Sequence, residues 1–154
     1  MTGEARPPSP RAPVIVPELR VEDEPRLEDM AALDERLHEY NVRATGHADG
    51  RWLAIFVRDD AGQIVAGLHG WTWGGTGYVR TLWVREDLRG HGIGARLLRT
   101  AEQEARRRGC REMQLDTHSY QAPHFYQRSG YERIGELPGW PGTKFTRFFF
   151  RKSL

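Results

Sequence analysis

The chain has 154 residues, of which 38% are hydrophobic, 29% charged and 10% aromatic. This length and composition are typical of one folded domain and exclude a chain that is disordered throughout. No apolar run approaches the roughly 18 to 20 residues that cross a bilayer, and the N-terminal residues lack the charged and apolar segments of a signal peptide. We therefore expect a cytoplasmic protein with no membrane partner.

The charged residues are nearly balanced, with 23 basic and 21 acidic side chains and a formal charge of +2. They alternate along the chain, as in Glu102 to Arg108, whereas nucleic-acid-binding proteins usually carry a contiguous basic stripe. The six histidines form no i,i+4 pair and have no cysteine partner. Neither a nucleic-acid partner nor a metal site is therefore expected, and the single Cys110 excludes an internal disulfide.

The N-terminal region is rich in proline, with six of the nine prolines among the first 25 residues. Proline removes the amide hydrogens that helices and central strands use, so we predict a flexible tail over residues 1–12 and a single domain over residues 13–154. Val14 to Val16 indicates a first strand. Apolar residues three and four apart then predict an amphipathic helix over Arg26 to Tyr40.

The central part of the chain predicts an antiparallel meander. Trp52 to Val57 and Ile64 to Trp73 are apolar runs of strand length separated by turn-forming residues, which is typical of a hairpin. A glycine-rich turn leads from this hairpin to a third strand at Tyr78 to Val84.

The C-terminal half begins with the clearest helix in the sequence, at Ile93 to Arg108, where apolar residues share one face and Gly109 follows as a C-terminal cap. A short strand at Met113 to Thr117, a short helix at Pro123 to Gln127 and a last strand at Lys144 to Arg151 are predicted after it. This order of elements is that of an α+β fold rather than a regular βαβ alternation.

The segment from Arg89 to Gly94 places three glycines between the third strand and the long helix. Gly90, Gly92 and Gly94 let the backbone curl closely around a ligand where the helix presents unpaired amides, which favours an anion such as a pyrophosphate. The dinucleotide pattern G-x-G-x-x-A also fits, but Arg85 to Leu88 separate the loop from the preceding strand and too little chain follows for a doubly wound sheet. A P-loop is excluded because no Lys-Ser or Lys-Thr pair follows the glycines.

At this loop the sequence resembles the GNAT superfamily of acetyl-CoA-dependent N-acetyltransferases, whose signature is Arg or Gln, two residues, Gly, one residue, then Gly or Ala. Arg89, Gly92 and Gly94 match this signature. The resemblance covers roughly residues 50–154, and it is carried further by Leu97-Leu98, Gly109-Cys110, Asp116-Thr117, Phe125-Tyr126 and Gly130-Tyr131.

The resemblance implies a GNAT-like three-layer fold, a mostly antiparallel mixed sheet that is splayed at its centre and flanked by helices. Acetyl-CoA is then the co-substrate and lies in the gap. The residues expected to hold it are the strand segment Leu82, Trp83 and Val84 and the loop residues Arg89, Gly90, His91, Gly92, Ile93 and Gly94. Gln121 stands where many family members have an asparagine, so its contact with CoA is left open.

The resemblance also implies that Tyr126 is the catalytic residue that donates a proton to the departing CoA thiolate. A phenol with an ordinary pKa near 10 is protonated at neutral pH and suits this role. The general base is left open among Asp116, Glu86, His118 and His69, because no spacing singles one of them out.

Trp140 lies in a loop between prolines and glycines, a poor position for a core residue and a good one for the wall of an acceptor pocket. The resemblance implies transfer of an acetyl group from acetyl-CoA to a primary amine by direct attack in a ternary complex, and the Trp140 loop favours a small molecule as the acceptor. A protein acetyltransferase acting on lysine or N-terminal amines and a non-catalytic acyl-CoA-binding regulatory module are the alternatives. The identity of the acceptor and the presence of a homodimer are left open.

Overall fold

The computed structural model describes residues 18–154 and divides the chain into two compact units, Met1–Glu39 and Tyr40–Leu154. The tail predicted at residues 1–12 and the strand predicted at Val14 to Val16 lie outside the described residues, and the single domain over residues 13–154 stays a prediction. Helix α1 (Leu27–Thr45) confirms the helix predicted in this part of the chain and contains no buried residue. Within the described residues, no helix is both long and apolar enough to cross a membrane.

Tyr40–Leu154 contains a six-stranded mixed sheet with strand order β1-β2-β3-β4-β6-β5. The strands are β1 (Arg51–Arg58), β2 (Ile64–Trp73), β3 (Thr76–Val84), β4 (Glu112–His118), β5 (Glu132–Pro138) and β6 (Thr146–Ser153). The helices that follow β3 and β4 are α2 (Ile93–Arg107) and α3 (Pro123–Arg128). Every neighbouring pair is antiparallel except β3 and β4, which confirms the predicted α+β fold with a mostly antiparallel sheet.

Strand β5 corrects the prediction of a single strand at the C-terminal end. The apolar residues Ile134 and Leu137 are three apart, so the sequence shows no strand-like alternation of apolar and polar residues. Gly135 adjoins a shift in register, and Pro138 ends the strand. β5 lies at the edge of the sheet and contains no buried residue. An edge position explains how a strand forms here without an apolar face.

The main core lies between the sheet and α2, on what we call the helix face of the sheet. Helix α2 buries one apolar stripe against alternate residues of the strands, because side chains alternate between the two faces of a sheet. The buried residues include Leu97, Leu98 and Ala101 of α2, with Leu53, Leu68, Val79, Leu115 and Phe150 of the sheet. From α3, Tyr126 packs its ring 6.1 Å from the ring of Phe150, so α3 covers the same face.

A buried ion pair joins α2 to β6. The Nζ atom of Lys152 lies 2.8 Å from Oε2 of Glu102, and the same nitrogen donates a hydrogen bond of 2.9 Å to the carbonyl of Ser129 at the end of α3. Glu102 is only 3% exposed, so its carboxylate depends on Lys152 for charge compensation.

We predict that Lys152→Met lowers the free energy of unfolding by about 3 to 5 kcal/mol, because it leaves the Glu102 carboxylate buried without a counter-ion. Urea denaturation measures the change. The neighbouring Arg151→Met removes an exposed charge that faces Glu132 at 3.7 Å and should cost less than about 1 kcal/mol. The double variant Glu102→Leu/Lys152→Met should recover most of the loss; if it is no more stable than Lys152→Met, the ion pair is not the cause.

Candidate active site

The sheet opens between β3 and β4. The two strands pair in parallel from Thr76 and Glu112 to Val79 and Leu115, and no pairing continues beyond these residues. Between Val79 and Val84, β3 remains paired with β2 alone. The splayed centre that the sequence resemblance implies is therefore present, and it leaves the free edge of β3 facing a gap.

A bulge in β3 accounts for the direction of this opening. In the pairing of β2 with β3, Gly70 lies opposite Val79 and His69 lies opposite Thr81, so Arg80 is an extra residue. Such bulges bend a strand and increase its twist. The close approach of the strands here requires Gly70, since an added Cβ would overlap the carbonyl oxygen of Tyr78.

The gap forms a cavity of about 820 Å³, within the range of small-molecule and cofactor sites. Leu82, Thr117 and Tyr126 line it from the helix face, whereas Trp83 and Asp116 occupy alternate positions and line it from the opposite face. The cavity is therefore bordered by residues from both faces of the sheet.

The glycine loop adjoins this cavity at the start of α2. Gly90 and Gly92 have φ values of +77° and +74°, in the left-handed region that favours glycine, and a Cβ on either residue would meet nothing within 4 Å. No backbone amide from Gly90 to Ala95 donates a hydrogen bond to a described residue, and the first amide that does is that of Arg96, to the carbonyl of Gly92. The loop therefore offers unpaired amides next to open space, an arrangement that binds phosphates.

Most of the site residues expected from the sequence lie around the cavity. Those that line it are Leu82, Trp83, Val84, Arg89, Gly90, Gly92, Ile93, Gly94 and Tyr126. His91 and Trp140 are not among the lining residues. Nε of Arg89 donates to the carbonyl of Val84 at 3.1 Å and thereby holds the loop against the end of β3.

Tyr126 is positioned by α3, whose first turn begins at Pro123. The residue is 8% exposed, and its ring packs edge-to-face against that of Tyr131, with 6.1 Å between the ring centroids. Burial, together with the nearby Asp116 carboxylate, raises the pKa of Tyr126 to about 12. Its hydroxyl therefore stays protonated at neutral pH and is able to donate a proton or a hydrogen bond.

A cluster of three polar side chains lies on the opposite face, beside the last paired residues of β3 and β4. The Tyr78 hydroxyl donates a hydrogen bond to Oδ1 of Asp116, and Nε of Arg147 donates to Oδ2 of Asp116 at 2.7 Å. Partial burial raises the pKa of Asp116, but the hydrogen bonds from Arg147 and Tyr78 outweigh it and hold the pKa below its usual value. Asp116 is therefore anionic and a weak proton acceptor.

Of the four candidate bases, the structure places one at the cavity, and it adds two residues, Tyr78 and Arg147, that the sequence analysis did not identify. Asp116 is the one candidate that lines the described cavity, whereas Glu86, His69 and His118 do not. Tyr78 and Arg147 lie 38 and 31 residues from Asp116 in the chain, so no local spacing could connect them.

Trp140 lies over the same polar cluster although it does not line the cavity. Its ring centroid is 4.9 Å from that of His118, and the guanidinium of Arg147 lies 5.1 Å from the Trp140 ring. The side chain is 47% exposed, so it covers the cluster and stays accessible to solvent. Its role as a wall of the acceptor pocket stays a prediction.

The comparisons with known proteins agree with this geometry. The model of the acetyltransferase (GNAT) family matches residues 15–131. The chain is 42% identical over 106 residues to the acetyltransferase Atu2258 of Agrobacterium fabrum (69% of this chain, 77% of that protein). It is 39% identical over 107 residues to blasticidin-S acetyltransferase of Streptomyces morookaense (65% of this chain, 76% of that protein).

Solved structures show the same fold. An acetyltransferase from Bacillus cereus superposes with a TM-score of 0.72 at 29% identity, covering 88% of this chain and 98% of that one. An aminoglycoside 6′-N-acetyltransferase complexed with coenzyme A superposes with a TM-score of 0.59 at 19% identity, covering 82% and 88% of the two chains. The splayed sheet, the glycine loop and these matches define an acyltransferase. The chain belongs to the GNAT family of acetyltransferases.

We predict that Gly70→Ala destabilises the protein by about 1 to 3 kcal/mol, because the added methyl group must displace the backbone of β3 at the bulge. Thermal and urea denaturation measure the loss. Gly135→Ala is the matched control, since that glycine also adjoins a register shift but its Cβ would make only an ordinary contact of 3.7 Å with Phe149. Equal stability of the two variants would show that the strands can separate at Gly70 without cost.

Proposed function

We propose that the protein transfers the acetyl group of acetyl-CoA to a primary amine of a small molecule, by direct attack within a ternary complex. The observation that carries this proposal is the cavity of about 820 Å³, which is lined by the glycine loop, by Tyr126 and by residues from both faces of the sheet. A cavity bordered by both faces of the sheet gives the acetyl donor and the amine separate walls to bind beside one reaction point.

The residues around the cavity fit coenzyme A. The unpaired amides from Gly90 to Ala95 suit its pyrophosphate, and Arg89 adds a positive charge next to them. The free edge of β3 at Leu82, Trp83 and Val84 can pair with the pantetheine arm as an added strand would. His91 is exposed, and its Nδ1 lies 2.9 Å from the carbonyl of Arg89, so its contribution is to the shape of the loop.

Acetyl transfer needs a neutral amine, a stabilised oxyanion and a proton for the thiolate that leaves. We assign the proton to Tyr126, since this hydroxyl is protonated at neutral pH and faces the cavity. The amine nitrogen forms a bond to the acetyl carbon and gives up one proton to solvent, the carbon–sulfur bond breaks, and the sulfur takes the proton from Tyr126. The Tyr126 phenolate then regains a proton from solvent. The unpaired backbone at the free edge of β3 supplies candidate donors for the oxyanion.

The acceptor is assigned to small molecules on two grounds. Blasticidin-S acetyltransferase, one of the relatives described above, carries a small-molecule antibiotic in its name. Trp83 lines the opposite face of the cavity and Trp140 covers Arg147, the partner of the lining residue Asp116, and large aromatic side chains are suited to enclosing a compact ligand. A protein amine, which requires an open groove, is the second candidate acceptor.

The cytoplasmic location and a homodimer remain expectations from the sequence.

The test of this proposal is release of free thiol from acetyl-CoA in the presence of a panel of amines: antibiotics, polyamines, amino acids and lysine-containing peptides. We expect release with at least one small amine and a product whose mass has increased by one acetyl group. Release with peptides alone would favour the protein acetyltransferase. The absence of release with every acceptor, despite binding of coenzyme A, would contradict the proposed function.

We predict that Gly92→Ala weakens binding of coenzyme A by about tenfold, because a φ of +74° strains an alanine by about 1 to 2 kcal/mol and favours a loop whose amides point elsewhere. Isothermal titration calorimetry measures the affinity. Gly62→Ala is the matched control, since Gly62 has a φ of +78° and equally open space but lies in the β1–β2 turn. Loss of affinity in both variants would trace the effect to general destabilisation.

We predict that Tyr126→Phe lowers kcat by about tenfold to a thousandfold and leaves the affinity for coenzyme A unchanged, because the thiolate is a tolerable leaving group even without a donor. Steady-state kinetics and calorimetry measure the two quantities. Tyr131→Phe makes the same change in a neighbouring buried tyrosine outside the cavity and should leave kcat unchanged. Full activity in Tyr126→Phe would reduce Tyr126 to a packing residue.

A further inference from the structure

Arg147 is held in place more firmly than a surface arginine usually is. Its guanidinium lies 5.1 Å from the ring of Trp140 and 5.2 Å from the ring of Phe149, and its Nε donates to Asp116 at 2.7 Å. Two aromatic contacts and one charge-assisted hydrogen bond fix the orientation of the group. An arginine fixed in this way loses little further conformational freedom when it binds a ligand.

This arginine retains donors that the protein does not use. A guanidinium has five N–H bonds, and Nε accounts for one of them. Neither Nη1 nor Nη2 donates a hydrogen bond to any residue from 18 to 154 in the structure. The side chain is 26% exposed, so its remaining N–H bonds are partly removed from bulk water. Such donors favour a ligand that offers two oxygen atoms.

The charges around the polar cluster also favour an anion. Asp116, which Arg147 neutralises, is the one acidic residue that lines the described cavity. Arg80, at the bulge of β3, lines the cavity too and makes no ion pair with a described residue. Arg147 does not line the cavity itself but pairs with Asp116, which does, so the Asp116 charge is neutralised and the Arg80 guanidinium leaves the lining positive here.

We infer that Arg147 binds an oxyanion group of the acceptor, a carboxylate or a phosphate carried by the same molecule as the reacting amine. This inference rests on the proposed function and specifies its substrate class. Arg147 is then a specificity-determining residue that holds the far end of the acceptor on the face of the sheet opposite α2. Asp116 and Trp140 act through it, the carboxylate by orienting the guanidinium and the indole by covering it.

The experiment compares sets of acceptors that differ in one group. Linear ω-amino carboxylic acids of two to six methylene groups are assayed beside their carboxamides and beside aminoalkyl phosphates of equal length. We expect the acids, the phosphates or both to exceed the carboxamides in kcat/KM by about 10- to 100-fold, the effect of a charge-assisted hydrogen bond. Whichever anion gives the larger preference identifies the group, and polyamines should be poor acceptors. Equal rates for anionic and neutral members would overturn the inference.

Three variants assign the preference to Arg147. Arg147→Gln should remove it by raising KM for the anionic acceptor, with KM for acetyl-CoA unchanged. Arg147→Lys restores a positive charge beside Asp116 without the paired donors, so it should recover stability but less than a tenth of the preference. Arg151→Gln, on the same strand and the same face, should behave like the unmodified protein. A preference that persists in Arg147→Gln, or that Arg147→Lys restores in full, would overturn the assignment.

A binding measurement distinguishes failure of the proposed acetyl transfer from failure of the proposed oxyanion site. If no amine releases thiol, the same anionic and neutral molecules are titrated into the CoA-loaded protein by calorimetry. Binding of the anionic members that is lost in Arg147→Gln would support the oxyanion site without catalysis. Equal binding of anionic and neutral members, or binding of neither, would overturn it.

Discussion

The parallel ladder between β3 and β4 holds from Thr76 to Val79 and then stops, and the geometry of the whole site follows from this interruption. A strand inside a sheet normally has partners on both sides, and an unpaired backbone has to find others. Arg80 creates the bend by adding one residue to β3, and Gly70 permits it by leaving out a side chain. The result is a strand edge that can accept an extended ligand in the middle of the molecule.

The two faces of the opening have opposite effects on the groups that titrate there. On the helix face, burial keeps the Tyr126 hydroxyl protonated, which suits a donor. On the other face, hydrogen bonds from Arg147 and Tyr78 keep Asp116 ionised despite its partial burial, which suits a group that orients others. The environment thus sorts the polar groups into a protonated hydroxyl on the helix face and an ionised carboxylate on the opposite face.

The pattern of apolar residues and glycines along the chain predicted those elements whose conformation depends on interactions between nearby residues. The strand Ile64–Trp73 and the start of α2 at Ile93 have the bounds that the sequence predicts, because strong apolar periodicity and glycine punctuation act within a few residues. Strand β5 was missed for the same reason: Ile134 and Leu137 do not alternate, and its position beside β6 alone makes it a strand. Its hydrogen bonds come from a partner that no local pattern shows.

By itself, the sequence determined the glycine loop, the helix that follows it and the family, since Gly92 and Gly94 after Arg89 act through backbone conformation alone. It also pointed to Tyr126, although only through the resemblance. The tertiary structure alone decided that Arg147, Asp116 and Tyr78 meet, because β4 lies between β3 and β6 in the sheet and brings distant segments to one place. Contacts of that kind depend on strand order and register, which are set when the whole sheet packs rather than within any one segment.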